Sequence, residues 1–142
     1  MARLCLRNAT LIAGDSDELE RRAVSILNNS GNRCALLYPG PDARDPKDFV
    51  DEGGGQLVIF VIDGTWVMAK KMVKVSPALS ALPRIAFNPR RPSGYRFRKQ
   101  PRPEFVSTIE AIHEVIDGLD QSGSVPVFPE GAHANLLEVF EW

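Results

Sequence analysis

The sequence predicts an α/β fold, a parallel sheet flanked by helices, on three observations. Residues 57–62, LVIFVI, are six apolar and mostly β-branched residues with no polar alternation, the pattern of a strand buried on both faces. Residues 34–38, CALLY, form a second short apolar run. Stretches with helical spacing follow or separate these runs, and strands that alternate with helices belong to parallel sheets. At 142 residues with 44% hydrophobic content, the chain suits one compact domain with a real core. No apolar run approaches the roughly 20 residues that span a bilayer, and the start lacks the apolar region of a signal peptide. A cytoplasmic protein with no membrane contact is expected. Cys5 and Cys34 are isolated in apolar surroundings and read as buried free thiols, and no cluster has the spacing of a metal site.

Taken in order, residues 4–13 hold apolar positions broken by Arg7 and Asn8, which reads as one strand or a short strand pair. Asp15 or Ser16 can then cap a helix running to about Asn29, with Asp17, Glu18 and Glu20 near its positive end. Leu19, Ala23, Ile26 and Leu27 share one face of that helix, and Asn29, Ser30 and Gly31 end it. After the strand at 34–38, residues 42–52 are polar, and Gly53, Gly54 and Gly55 read as a flexible joint. No Lys-Ser or Lys-Thr follows these glycines, so a P-loop is excluded. The strand at 57–62 leads to a helix over about 66–75, which sets Lys70, Lys71 and Lys74 on one face.

One further helical turn is expected at 78–82 and a short strand at 84–87. Residues 88–104 form a long irregular stretch dense in Pro and Arg, and such stretches inside a compact domain are usually functional or disordered. Ser107 and Glu110 have capping-box spacing and open a helix with an apolar face of Ile109, Ile112, Val115, Ile116 and Leu119. Gly118 and Gly123 are expected to end it. A short strand at 125–128 and the start of an amphipathic helix at 134–142 complete the chain.

Charge is segregated. From Gly64 to Pro103 there are ten basic residues (Lys70, Lys71, Lys74, Arg84, Arg90, Arg91, Arg96, Arg98, Lys99 and Arg102) and no acidic one. Residues 104–142 hold eight acids and no Lys or Arg, although the formal net charge is only −1. A basic block of this kind fits a phosphate-rich partner, or else a solvated face that balances its acidic neighbours.

The central run ends in Asp63, Gly64, Thr65 and Trp66, and in open α/β sheets ligands bind beyond the carboxyl ends of strands. The other reading is an Asp-Gly turn followed by a core Trp. A second strand exit, YPGPDA at 38–43, is either a ligand loop or an ordinary Pro-rich turn.

Five blocks together resemble the DTW-domain family of tRNA-uridine aminocarboxypropyltransferases. They are YPGPDA at 38–43, DGTW at 63–66, SPALSALPR at 76–84, PSGYRFRKQPRP at 92–103 and STIEA at 107–111, in the family's order. The resemblance implies transfer of the 3-amino-3-carboxypropyl group of S-adenosylmethionine to N3 of a uridine in tRNA. It also implies a SPOUT-like three-layer α/β sandwich whose C-terminal part can be knotted. Relatives often carry a cysteine-rich N-terminal piece and an Asn-Thr-Gly segment, and this chain is expected to be one catalytic domain, residues 1–142, that starts after both.

Carried onto this chain, the resemblance makes Asp63 the candidate base for the uridine N3 proton, or else a residue that orients the substrate or caps the following helix. Arg98 is the preferred cation for the reacting centre. Tyr38, Pro39, Asp42, Thr65, Leu82, Pro83 and Tyr95 are candidates for holding S-adenosylmethionine. Ser107 and Thr108 at a helix start are candidates for its carboxylate. Trp66, Lys70, Lys71, Lys74, Arg90, Arg91, Arg96 and Lys99 form the candidate tRNA surface, with Trp66 either stacking on a base or sitting in the core. Two other functions stay open: an RNA-binding module without turnover, and an S-adenosylmethionine-dependent RNA methyltransferase. A second copy of the chain is a candidate partner through the apolar Phe140 and Trp142.

Overall fold

The computed structural model describes residues 6, 8–50, 54–90, 92–94, 105–123 and 132–138. In chain order the elements are α1 (Ser16–Leu27), β1 (Asn32–Leu37), α2 (Pro46–Val50), β2 (Gln56–Phe60), α3 (Trp66–Val75), α4 (Pro77–Ser80), β3 (Arg84–Ile85), α5 (Thr108–Gln121) and a 3₁₀ helix (Ala132–Leu136). The described residues fall into two compact units. One lies within Leu11–Arg44 and Glu52–Ala86, the other within Met1–Thr10, Asp45–Asp51 and Phe87–Trp142.

The first unit carries the expected α/β pattern, a three-stranded parallel sheet in the order β2-β1-β3. The central strand is β1, where Ala35 and Leu36 are fully buried. Leu36, Val73 of α3 and Leu82 form a core cluster, with Leu27, Cys34, Tyr38, Phe60, Ile62 and Leu79 packed against it. Truncating a side chain as buried as Leu36 typically costs about 2–5 kcal/mol.

The expectation that residues 57–62 are buried on both faces is corrected. Among the described residues β2 pairs on one side only, with β1, and residues 57–60 are only partly buried. An all-apolar run registers packing against helices, not a position in the middle of a sheet. Gly55, at φ 103°, turns the chain into β2, and the Gln56 N–H donates to the Gly31 carbonyl at 2.7 Å. A Cβ at Gly55 would lie 2.8 Å from that same carbonyl oxygen, so the last glycine of the expected joint has a fixed role.

Helix α1 starts as expected, with the Asp15 carboxylate accepting from the Glu18 N–H at 2.9 Å. The strand expected at 4–13 is not found where it is described, since residues 8–13 are irregular. The Cys34 thiol is free and half-buried, and burial raises its pKa; Cys5 lies outside the described residues.

The stretch 42–52, read from the sequence only as polar, contains α2, which belongs to the second unit. A helix of five residues shows no readable period; here burial of Phe49 holds it, and α2 packs against α5. Val115 and Leu119 of α5 and Leu136 are buried in the same unit. Gly118 lies inside α5, and Gly123, at φ 72°, follows its C-cap Ser122. Where an amphipathic helix was expected from 134, a 3₁₀ helix occupies Ala132–Leu136. Residues 125–128 and 139–142, with Phe140 and Trp142, lie outside the described residues. Among the described residues no helix is long and apolar enough to cross a membrane.

Candidate active site at the strand ends

Because all three strands of the first unit are parallel, their carboxyl ends share one edge. Leu36 pairs with Phe60 and Leu37 with Ile85, so the exits of β1 and β2 emerge side by side, next to the end of β3. The Tyr38 N–H donates to the Ile85 carbonyl at 3.1 Å, which fixes the start of the first loop. That loop folds back on itself: the Ala43 N–H donates to the Gly40 carbonyl at 3.1 Å, and the Arg44 N–H to the Arg84 carbonyl at 3.0 Å.

An aromatic and cationic cluster results. The Tyr38 and Trp66 rings lie 6.3 Å apart between centroids at 52°. The Arg84 guanidinium sits 5.5 Å from the Tyr38 ring centre, within cation–π range. A Cβ at Gly40 would come within 2.7 Å of Arg84 Nη1, so glycine there leaves the space the guanidinium occupies. Trp66 is partly buried, consistent with a ring that both packs and presents an edge.

Asp63 is exposed in the adjacent loop, with no hydrogen-bond or ion-pair partner among the described residues. Its reading as a helix cap is overturned: the cap of α3 is Thr65, whose hydroxyl accepts from the Met68 N–H at 3.3 Å. The Thr65 hydroxyl is therefore engaged within the helix start. Pro39, Asp42 and Pro83 are exposed. Leu82 is not: its side chain belongs to the core cluster, so any contact it makes with a ligand runs through its backbone.

Two features escape the sequence: the Arg84 cation of this cluster and a tie made by Glu20 between α1 and α4. Arg84 closes the SPALSALPR block and opens β3, and the signal for it was a lone cation at a strand boundary. Glu20 on α1 accepts from the Ser76 hydroxyl and, at 2.8 Å, from the Ala78 N–H, tying the start of α4 to α1. No local spacing reveals that tie, because 56 residues separate Glu20 from Ser76.

On α3 the buried side is Ala69 and Val73, while Lys70, Lys71 and Lys74 are exposed with no ion pair among the described residues. Val67, Met68 and Val75 are exposed on the same helix at 80%, 57% and 54%. Such an outward face is both cationic and apolar.

The second unit treats its charges differently. Arg90 donates to the Asp117 carboxylate at 2.6 Å, and Gln121 donates to it at 2.8 Å. The His133 ring nitrogen Nε2 lies 3.3 Å from the same carboxylate. Burial raises the Asp117 pKa, but the His133 hydrogen bond and the charge of Arg90 outweigh it and bring the net value below normal. Arg90 is therefore a paired cation, unlike the α3 lysines.

Ser107 caps α5 in the expected capping box. Its hydroxyl accepts from the Glu110 N–H at 3.3 Å, and its own N–H donates to the Glu110 carboxylate at 2.7 Å. That carboxylate also accepts from the Ser93 hydroxyl at 2.7 Å and the Gly94 N–H at 2.6 Å. Ser107, Thr108 and Arg90 belong to this unit and the strand-end residues to the other. Tyr95, Arg91, Arg96, Arg98 and Lys99 lie outside the described residues. Among the described residues, no group of three or more His, Cys, Asp or Glu side chains could hold a metal ion.

The fold defines an α/β protein whose parallel strands end in loops that carry Tyr38, Asp63 and Trp66. The chain belongs to the DTW domain family, whose model matches residues 1–142. Over 85 residues it is 35% identical to tRNA-uridine aminocarboxypropyltransferase 2 of Drosophila melanogaster, covering 60% of this chain and 34% of that protein. Over 111 residues it is 25% identical to tRNA-uridine aminocarboxypropyltransferase 2 of Mus musculus and of Macaca fascicularis, covering 78% of this chain and 37% of each. The chain thus spans roughly a third of the length of these relatives. No solved structure matches it significantly.

Proposed function

We propose that this chain modifies tRNA by transferring the 3-amino-3-carboxypropyl group of S-adenosylmethionine to N3 of a uridine. The observation that carries this reading is a carboxylate, Asp63, with no partner among the described residues, in the same loop as Trp66 of an aromatic and cationic cluster at one edge of a parallel sheet, in a chain of the DTW domain family. The names of the relatives support the reaction class and the tRNA substrate.

The strand-end residues fit the donor. Tyr38 and Trp66 offer aromatic faces for adenine, and Gly40 leaves room for the Arg84 guanidinium beside Tyr38. Pro39 and Asp42 belong to the loop after β1, Thr65 to the loop after β2, and Leu82 and Pro83 to the connection that leads into β3. When bound, S-adenosylmethionine supplies an electrophilic methylene next to its sulfonium, with methylthioadenosine as the leaving group. Asp63 accepts the proton from uridine N3, so that the nitrogen lone pair is free to attack. Lys70, Lys71 and Lys74 meet the tRNA backbone as solvated point charges. The family resemblance offers Arg98 as a catalytic cation, Tyr95, Ser107 and Thr108 as donor contacts, and Arg91, Arg96 and Lys99 as tRNA contacts.

The same reading includes a SPOUT-like three-layer architecture with a C-terminal knot, one catalytic domain over residues 1–142, a cytoplasmic setting and a homodimer. Incubation with unmodified tRNA and S-adenosylmethionine labelled in the carboxyl carbon tests the reaction. Carboxyl label in tRNA is expected; methyl label alone marks a methyltransferase, and tRNA retention with neither label marks a binding module.

A further inference from the structure

We propose that Arg84 binds the carboxylate of the transferred aminocarboxypropyl group and so sets the preference for a carboxylated donor, an inference that rests on the transferase reading above. Arg84 is half-buried, and among the described residues it has no acidic partner. Its guanidinium nitrogens reach solvent, so an incoming anion meets them without displacing a partner among the described residues. A cation–π contact with Tyr38 places it at the strand ends, and the missing side chain at Gly40 leaves Nη1 its room. Its planar fork matches a carboxylate through two parallel N–H donors, which a lysine cannot reproduce.

The ring beside Arg84 also contacts Trp66, the residue that ends the DGTW block. The cation therefore belongs to the same strand-end cluster as the candidate base loop. The competing groups are engaged elsewhere: the Ser107 hydroxyl and N–H are taken by Glu110, and Arg90 is paired with Asp117. The exposed lysines of α3 suit diffuse phosphate contacts better than a single oriented carboxylate.

The test is equilibrium binding of S-adenosylmethionine, of its decarboxylated analogue and of tRNA to four proteins: wild type, Arg84→Gln, Arg84→Lys and Gly40→Ala. Wild type is expected to bind S-adenosylmethionine about 10- to 100-fold more tightly than the decarboxylated analogue, the range for a charge-assisted hydrogen-bonded pair. Arg84→Gln should bring that ratio close to one while leaving affinity for the analogue unchanged. Arg84→Lys should keep part of the preference. Gly40→Ala, whose Cβ would stand 2.7 Å from Nη1, should lower the ratio without removing the charge, and it serves as the independent variant if Arg84→Gln does not fold.

An Arg84→Gln protein that folds and keeps the wild-type ratio overturns the assignment. So does loss of tRNA affinity at an unchanged ratio, which would give the cation to a backbone phosphate. A wild type that binds both donors equally overturns the Arg84 role alone; one that binds neither donor overturns the transferase reading with it.

Discussion

Two regions of this protein handle charge in opposite ways. Along α5, two carboxylates are met internally: Glu110 accepts from Ser93, Gly94 and Ser107, and Asp117 accepts from Arg90 and Gln121. At the strand ends of the sheet unit, Asp63, Arg84, Lys70, Lys71 and Lys74 have no counter-charge among the described residues. Paired charge holds a fold in one arrangement, whereas unpaired charge beside aromatic rings is free to meet a ligand. Substitutions along α5 should therefore register in stability, and those at the strand ends and on α3 in binding or turnover.

The largest effect is expected at Asp63. Asp63→Ala should lower transfer by about 100- to 10,000-fold, the range for a lost general base, while tRNA affinity stays within a few-fold. Unchanged turnover would remove Asp63 from proton transfer and weaken the contrast at its strongest point.

Next comes Glu110→Ala, expected to destabilise by about 2–3 kcal/mol in urea denaturation, through a lost cap and lost hydrogen bonds to a charged group. Burial by itself would raise the Glu110 carboxyl, but the bonds from Ser93, Ser107 and Gly94 prevail and hold it below its ordinary value. A carboxyl lowered in the fold stabilises above its unfolded pKa, about 4.3, and loses that contribution as pH falls through the lower folded value. The variant's stability should accordingly fall less steeply in acid than that of the wild type. A Glu110→Ala protein of undiminished stability would break the comparison from its other side.

Lys70→Glu combined with Lys74→Glu should weaken tRNA binding about tenfold and flatten its salt dependence by roughly two units of slope, with thermal stability nearly unchanged. Binding that keeps its salt slope would take the α3 face out of the tRNA surface.

The smallest effect concerns His113, whose ring centre lies 5.0 Å from that of His133. Burial first, then the charge of His133, lowers its pKa, so the fold favours the neutral ring. Stability should decline as pH drops below about 6.5, the unfolded value, and the decline should level off below the folded one. His113→Gln should remove that small step from the pH profile; an identical profile would show that the ring does not titrate on unfolding.

Much of this was legible locally. The Asp15 cap, the Ser107 to Glu110 capping box and the face of α1 announce themselves through spacings of three and four residues, because helix ends need their hydrogen bonds met nearby. The motif blocks likewise carried the family, which the match over residues 1–142 bears out. What could not be read is long-range. Strand order is set by which apolar face finds which partner, so nothing in the LVIFVI run said that β1, not β2, takes the centre of the sheet. Helix α2 depends on burying Phe49 and not on any period of its own.

The same division runs through the candidate site. The sequence by itself determined that two strands end in polar loops, that Asp63 and Trp66 share one of them and Tyr38 the other, and that cations follow. Only the tertiary structure decided that Arg84 lies in cation–π range of Tyr38 beside Gly40, that Tyr38 meets Trp66, that Thr65 and not Asp63 caps α3, and that Arg90 is already paired. The physical reason is range. Propensity, capping and turn chemistry act over a few residues of chain, while the availability of a charge depends on neighbours that only a folded backbone brings within hydrogen-bonding distance.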